Sequence, residues 1–201
     1  MTATRAPGLR ERKKQHTRET IERAALELFA ERGYDETTLA EIAEAADISP
    51  RTIFGYFQSK EDILFCEESG YIEKVKEALR ERPPSTTTVD ALREFIASMP
   101  PPDEQAILRK RVVAASPDLQ LKLRAHVGLL EGTLEESFAK DLGAGPEDIR
   151  PGLVAASMTA AFAAVRERLQ AAAIADHGEA MEIIDEVLEF VRGGLDAMRT
   201  R

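Results

Sequence analysis

Tryptophan is absent from this sequence, cysteine occurs once, and histidine three times in 201 residues. A lone Cys66 cannot close an internal disulfide, so the chain is expected in a reducing, cytoplasmic compartment. Without a histidine near it in sequence, Cys66 reads as a small, partly buried side chain rather than a nucleophile. His16, His126 and His177 are too scattered to supply metal-ligand spacing, and His126, at the edge of an apolar stripe, reads as a hydrogen-bonded structural residue. Nucleophile elbows, paired carboxylates and phosphate-cradling glycine loops are also missing; Gly143-Ala-Gly145 precedes a proline and lacks the lysine of a P-loop. The expectation is therefore no enzyme, no metal and no cofactor. No apolar run reaches the roughly 18 residues of a membrane span, and no signal-peptide apolar core follows the basic N-terminus, so no membrane partner is expected.

Positive charge is scarce overall. The net charge of -9 argues against nucleic acid, because lysine and arginine are what bind phosphate. The average conceals an asymmetry: residues 1–60 are balanced, and the whole acidic surplus lies in residues 61–201. Between residues 1 and 18, Arg5, Arg10, Arg12, Lys13, Lys14 and Arg18 face only Glu11. Such an arm suits an anionic polymer or surface, and a solvated flexible tail accounts for it equally well.

Helical periodicity is what the chain has in plenty. Ile21, Ala25, Leu28 and Phe29 share one face between Gln15 and Arg32, and Gly33 stops that helix. Thr38-Leu-Ala-Glu41 is a capping box ahead of Leu39, Ile42, Ala43 and Ala46. After a tight break at Asp47-Ile48, Ser49 and Pro50 restart a helix as N-cap and first helical residue. Two short helices so spaced are a helix-turn-helix candidate. A fourth helix runs from Ser59 towards Arg82, and Pro83-Pro84 marks a boundary. Patterning resumes at Val89 and stops at Pro100, with further helices expected over 103–115, 117–142, 146–175 and 179–198. With no alternating strand pattern, the fold class is all-α with about nine helices. The expected organisation is a flexible basic arm (1–14), a helix-turn-helix domain (15–60), a connecting helix (61–82) and a C-terminal helical domain (83–201).

The stretch SPRTIFGYFQSK, residues 49–60, concentrates three aromatics. On a wheel at 100° per residue, Ile53, Phe54 and Phe57 share an apolar arc and are expected in the core. Arg51, Thr52, Gly55 and Tyr56 fall opposite. That outer set suits a major groove: Arg51 can bond guanine or phosphate, Thr52 can donate to phosphate or touch a thymine methyl, and Gly55 permits close approach.

Residues 17–64, reading TRETIERAALELFAERGYDETTLAEIAEAADISPRTIFGYFQSKEDIL, resemble the DNA-binding domain of the TetR family of bacterial transcriptional regulators, through Phe29, Gly33, Thr38, Ile42, Ala43, Ser49, Thr52, Phe57, Ser59 and Lys60 among others. The resemblance implies a three-helix domain whose third helix reads the major groove, followed by a helical domain that dimerises and binds an effector. It implies DNA contacts from Thr38, Ser49, Pro50, Arg51, Thr52, Gly55, Tyr56 and Lys60, with Thr38 and Thr52 on phosphate and Tyr56 and Lys60 clamping the backbone. Arg10, Arg12, Lys13 and Lys14 of the arm join them. The chain departs from the family in having Phe54 where tyrosine is usual, and Gly55 where a larger side chain often probes bases.

Beyond residue 83, Leu108-Arg-Lys-Arg-Val-Val-Ala-Ala-Ser-Pro-Asp-Leu119 resembles a subgroup associated with acyl-coenzyme A-like ligands. A pocket of Arg111, Val112, Leu123, Val127, Leu130, Met158, Phe162 and Arg166 is the corresponding expectation, with plain core packing as the other account. Arg109 and Lys110 are further cations for a pocket rim, or else surface residues. Small residues between 155 and 164 suit a dimeric four-helix seam of Ala156, Ala160, Ala164, Ile184, Leu188 and Val191, or burial within one subunit.

The resulting expectation is a ligand-responsive regulator, a repressor acting as a homodimer on a palindromic double-stranded DNA operator and released by a small hydrophobic or acyl-CoA-like effector. A helical small-molecule carrier or enzyme with a degenerate helix-turn-helix, and a constitutive regulator without effector, are the other readings.

Overall fold

The computed structural model describes residues 8–171 and 177–199. Its described residues form eleven helices and no strand: α1 (Leu9–Arg32), α2 (Leu39–Ala45), α3 (Pro50–Ile53), α4 (Lys60–Leu64), α5 (Cys66–Glu81), α6 (Thr88–Ala97), α7 (Glu104–Ala114), α8 (Pro117–Gly128), α9 (Glu131–Leu142), α10 (Arg150–Ala171) and α11 (His177–Arg199). Residues 1–7 of the expected arm and 172–175 of the expected helix lie outside the described residues.

The all-α expectation holds, and the two additional helices come from a break at Phe65, with no glycine or proline beside it, and a break at Leu129–Leu130 that follows Gly128. At Phe65 the backbone leaves the helical region (φ -103°, ψ 14°), and the ring is buried. At Leu129 and Leu130 the amides bond the carbonyls of His126 and Val127, a tightened turn that buries Leu130 and leaves Leu129 in solvent. A buried side chain, Phe65 or Leu130, stands at each break, and only the second has a local signal in the sequence, Gly128.

Helix α1 begins at Leu9, so residues 9–14 of the expected flexible arm are helical. The physical reason is local: arginine, lysine, glutamate and glutamine are good helix formers, and no glycine or proline occurs between Leu9 and Arg32.

The chain divides into two compact units, Met1–Glu67 with Pro102–Ser116, and Glu68–Pro101 with Pro117–Arg201. In the first, α1 packs against α2, α4 and α7, and α2 against α3. Ile21, Leu26, Phe29, Ile42, Ile53, Phe57, Ile63 and Leu64 are its largest buried apolar side chains apart from Phe65. Helix α7, placed by the sequence expectation with the C-terminal domain, belongs here: Val112 and Val113 are buried, and Arg109, only 3% exposed, pairs through Nη1 with Glu67. Proline-rich breaks at both ends, Pro100 to Pro102 and Pro117, free that segment to pair away from its sequence neighbours.

The second unit has one apolar core, built from Ile72, Val75 and Leu79 of α5, Val89 and Leu92 of α6, Leu134 and Phe138 of α9, Met158 of α10, and Leu188, Val191 and Leu195 of α11. The last three recur at i, i+3 and i+7, a single helix face.

Candidate nucleic-acid interface

Local capping determines the geometry of the α2–α3 pair. The Thr38 hydroxyl accepts from the Glu41 amide (3.2 Å) and donates to the Glu41 carboxylate (2.8 Å), which also accepts the Thr38 amide (2.8 Å). These bonds, the Thr38 side chain first, hold the Glu41 carboxyl below its ordinary value. The one Thr38 hydroxyl donor, which the sequence expectation offers to phosphate, is engaged by the Glu41 carboxylate in the free chain. The turn after α2 places Asp47 at φ 54°, a left-handed conformation that aspartate tolerates better than most residues, while the Ile48 amide reaches the Ala43 carbonyl at 2.9 Å. Helix α3 then starts on Ser49, whose hydroxyl accepts from the Thr52 amide (3.1 Å) and meets the Thr52 hydroxyl at 2.7 Å.

From Ile53 onwards the winding tightens. The Gly55 amide bonds the Thr52 carbonyl at 3.0 Å and the Tyr56 amide bonds the Ile53 carbonyl at 2.9 Å, both three residues back. Phe54 caps α3 where its regular winding ends, and its ring leaves the core arc that the wheel gives it. Ile53 and Phe57 are buried as expected, but Phe54 is 52% exposed, which corrects its assignment to the core. The uniform 100° wheel failed because the segment is not uniformly α-helical. A side chain at Gly55 would bring its Cβ to 3.2 Å from the Thr52 carbonyl oxygen, so the same tightening accounts for the glycine. Arg51, Thr52 and Gly55 are exposed, and Tyr56 is half-buried.

Lys60 is engaged within the chain itself. Its ammonium donates to the Tyr34 carbonyl (2.6 Å) and the Asp35 carbonyl (3.2 Å), and lies 4.6 Å from the Tyr34 ring centroid. It ties the α1–α2 loop to the start of α4, and at most one N–H is left for phosphate. Arg10, Arg12, Lys13 and Lys14 are exposed along the first turns of α1. A concavity of about 700 Å³ is lined by Arg12, Lys14, His16 and Arg18 of α1, by Glu11 and Glu19 of the same helix, and by Gly55 and Tyr56. Arg18 also stacks over Phe57, its guanidinium 4.3 Å from the ring centroid, and pairs with Glu22 at 3.0 Å. Cationic helix and reading segment therefore share one surface within the first unit.

The model described as "Bacterial regulatory proteins, tetR family" matches residues 21–65, and that of the "MftR C-terminal domain" matches residues 82–196. The chain belongs to the TetR family. Among curated TetR-type relatives, the transcriptional regulator TcmR of Streptomyces glaucescens is 43% identical over 86 residues, a match spanning 43% of this chain and 38% of that protein. A protein named as the mycofactocin biosynthesis transcriptional regulator MftR of Mycobacterium tuberculosis is 29% identical over 73% of this chain and 76% of its own. The Thermus thermophilus TetR-family repressor FadR, solved with lauroyl-CoA, shares the fold at TM-score 0.53 and 24% identity, over 87% of this chain and 92% of that one.

In the C-terminal unit of this TetR-family chain, the expected pocket is only partly assembled. Leu130 and Met158 are core residues, with Phe162 packed against that core. Arg111 and Val112 belong to the first unit, where Val112 is buried and Arg111 is exposed. Leu123 is buried and Val127 half-buried. Arg166 is half-buried; burial lowers its pKa, and the Glu68 carboxylate opposes that shift. Tyr71, whose pKa burial raises, packs at a tilt against Phe95 with ring centroids 5.4 Å apart, and neither ring was part of the expected pocket.

The expected dimer seam also divides. Leu188 and Val191 are buried in the unit's own core, which favours the other account, burial within one subunit; Ile184 is half-buried and packs against that core. Ala156, Ala160 and Ala164 are exposed on α10. On α11 the face opposite the core carries Phe190, 70% exposed, with Gly193, Gly194 and Ala197 exposed beside it. Among the described residues no helix is long and apolar enough to cross a membrane, and no three histidine, cysteine, aspartate or glutamate side chains group as a metal site.

Proposed function

We propose that this chain is a cytoplasmic transcriptional repressor that binds a palindromic operator as a homodimer and releases it when a small apolar or acyl-CoA-like molecule binds the C-terminal unit. The observation that carries the reading is the exposed Arg51-Thr52-Phe54-Gly55 face of α3, beside the cationic first turns of α1, in a chain of the TetR family. Arg51 reaches base edges or phosphate; Ser49 and Thr52 lie at the start of the reading helix; Arg10, Arg12, Lys13 and Lys14 supply non-specific attraction. Two copies read half-sites separated by about one helical turn, 34–36 Å, or a multiple of it.

The second copy docks on Ala156, Ala160 and Ala164 of α10 and on Phe190 of α11, since small residues permit close helix approach around one large apolar side chain. For the effector, Phe162 and Arg166 stand one turn apart on α10, near Tyr71, and offer an apolar wall with a cation for a carboxylate or phosphate. The lauroyl-CoA complex of the Thermus thermophilus relative is consistent with that ligand class.

Selection of bound duplexes from a random library, combined with light scattering of the free chain, tests the reading. Recovery of a palindrome by a dimer is the expected result; a monomer that enriches no sequence would overturn it. Titration of lauroyl-CoA into the complex then tests release, and Arg166→Ala is expected to raise the concentration needed.

A further inference from the structure

A half-exposed phenylalanine is unfavourable in water, and Phe54 stands in that position on the face assigned to DNA. Its surroundings restrict what it can do. It stands three residues after Arg51, both side chains are exposed, and the next residue is Gly55, which has no side chain to hold the ring away from an approaching surface. The Gln58 side-chain amide donates to the Phe54 carbonyl at 3.0 Å, which fixes the backbone that carries the ring. A phenyl ring cannot donate to phosphate, so it adds nothing to the sequence-independent part of binding. The major groove offers a single apolar group to meet it, the C5 methyl of thymine.

We propose that Phe54 is a specificity-determining residue that reads a thymine methyl in each half-site, on the base pair engaged by Arg51 or the one next to it. The adjacency follows from spacing: side chains three apart on a helix lie about 5–6 Å from one another, and base pairs stack at roughly 3.4 Å. Arg51 then supplies the polar half of the readout and Phe54 the apolar half, with Gly55 allowing both to reach the base edges. The inference rests on the DNA-binding reading above.

The test uses the full chain and a duplex recovered by selection, in which each thymine of one half-site is replaced singly by uracil, removing only the methyl group. For the wild-type chain, one position is expected to weaken binding about fourfold, the value of burying one methyl-sized group. In Phe54→Ala that position loses its effect, so the two changes are not additive. Placing 5-methylcytosine instead of cytosine at that position is expected to restore part of the wild-type affinity and nothing in Phe54→Ala. Because the ring is uncharged, Phe54→Ala leaves the salt slope unchanged, whereas Arg51→Ala lowers it by about one. If wild type and Phe54→Ala respond identically to every uracil, or if Phe54→Ala weakens all sequences equally, the ring packs on sugar and the inference is wrong. If the wild-type chain prefers no duplex at all, the regulator reading itself fails, which is a separate outcome. Circular dichroism of Phe54→Ala is expected to match wild type, since the ring is largely outside the core.

Discussion

Arg82 and Asp141 stand 59 positions apart in sequence and form an ion pair at 2.7 Å, with 7% and 5% of their side chains exposed. The other Asp141 oxygen accepts the Thr88 amide at 2.8 Å, Arg82 also donates to the Ser137 carbonyl at 3.0 Å, and the hydroxyls of Thr88 and Ser137 meet at 2.8 Å. One carboxylate thus joins the ends of α5, α6 and α9. Asp141→Ala strands a buried guanidinium and an amide, and is expected to cost about 3–5 kcal/mol in urea unfolding. Arg82→Met combined with Asp141→Leu is expected to recover part of that loss, because the uncompensated charge is gone.

Lys60 and Arg51 are expected to separate stability from DNA affinity. Lys60→Met removes two charge-assisted hydrogen bonds to loop carbonyls at a half-buried site, and is expected to lower thermal stability by roughly 1 kcal/mol while leaving the salt slope of duplex binding unchanged. Arg51→Ala is expected to do the reverse. A lowered slope in Lys60→Met would return the ammonium to the phosphate role expected from the sequence.

Cys66 is expected to be inert. Burial first, and then the Glu22 carboxylate, push its thiol up to about 12, with Arg109 and Arg18 opposing the shift. At pH 8 the nucleophilic thiolate is a minute fraction of the native chain. Maleimide labelling followed by mass spectrometry is expected to be slow in buffer and fast in urea; equal rates would show an exposed thiol.

Glu41 links the helix-turn-helix to acid. Its folded pKa lies below the ordinary 4.5 because the Thr38 side chain and backbone bond the ionised form. The stability this contributes is fully present above 4.5 and is lost as pH falls through the lower folded value. Urea midpoints measured from pH 6 to pH 3 are expected to fall in that acid range, and Glu41→Gln, which keeps the amide contact without the titration, is expected to fall less steeply.

Legibility in the sequence followed the range of each interaction. The capping box at Thr38 and Glu41, the cap at Ser49 and the proline at α3 are contacts within four residues, so the sequence carries them whole. Ile53 and Phe57 were legible as core because they are apolar and stand four residues apart, on one face of a helix. Phe54 was not, since its direction depends on a change of winding after Ile53 that the wheel does not contain. A glycine beside an aromatic, one turn after a helix start, is the signal that would have raised it.

Local chemistry alone determined the helical class, the capped helix pair and the charge asymmetry that points to an anionic partner, because these depend on propensity, capping and composition. Tertiary structure decided the rest: that α7 leaves its sequence neighbours to pack on α1, that Leu188 and Val191 face the core while Phe190 does not, that Lys60 holds a loop, and that Asp141 caps a helix 53 residues away. Each of these sets one residue against another far along the chain, and the outcome depends on which partner burial makes available.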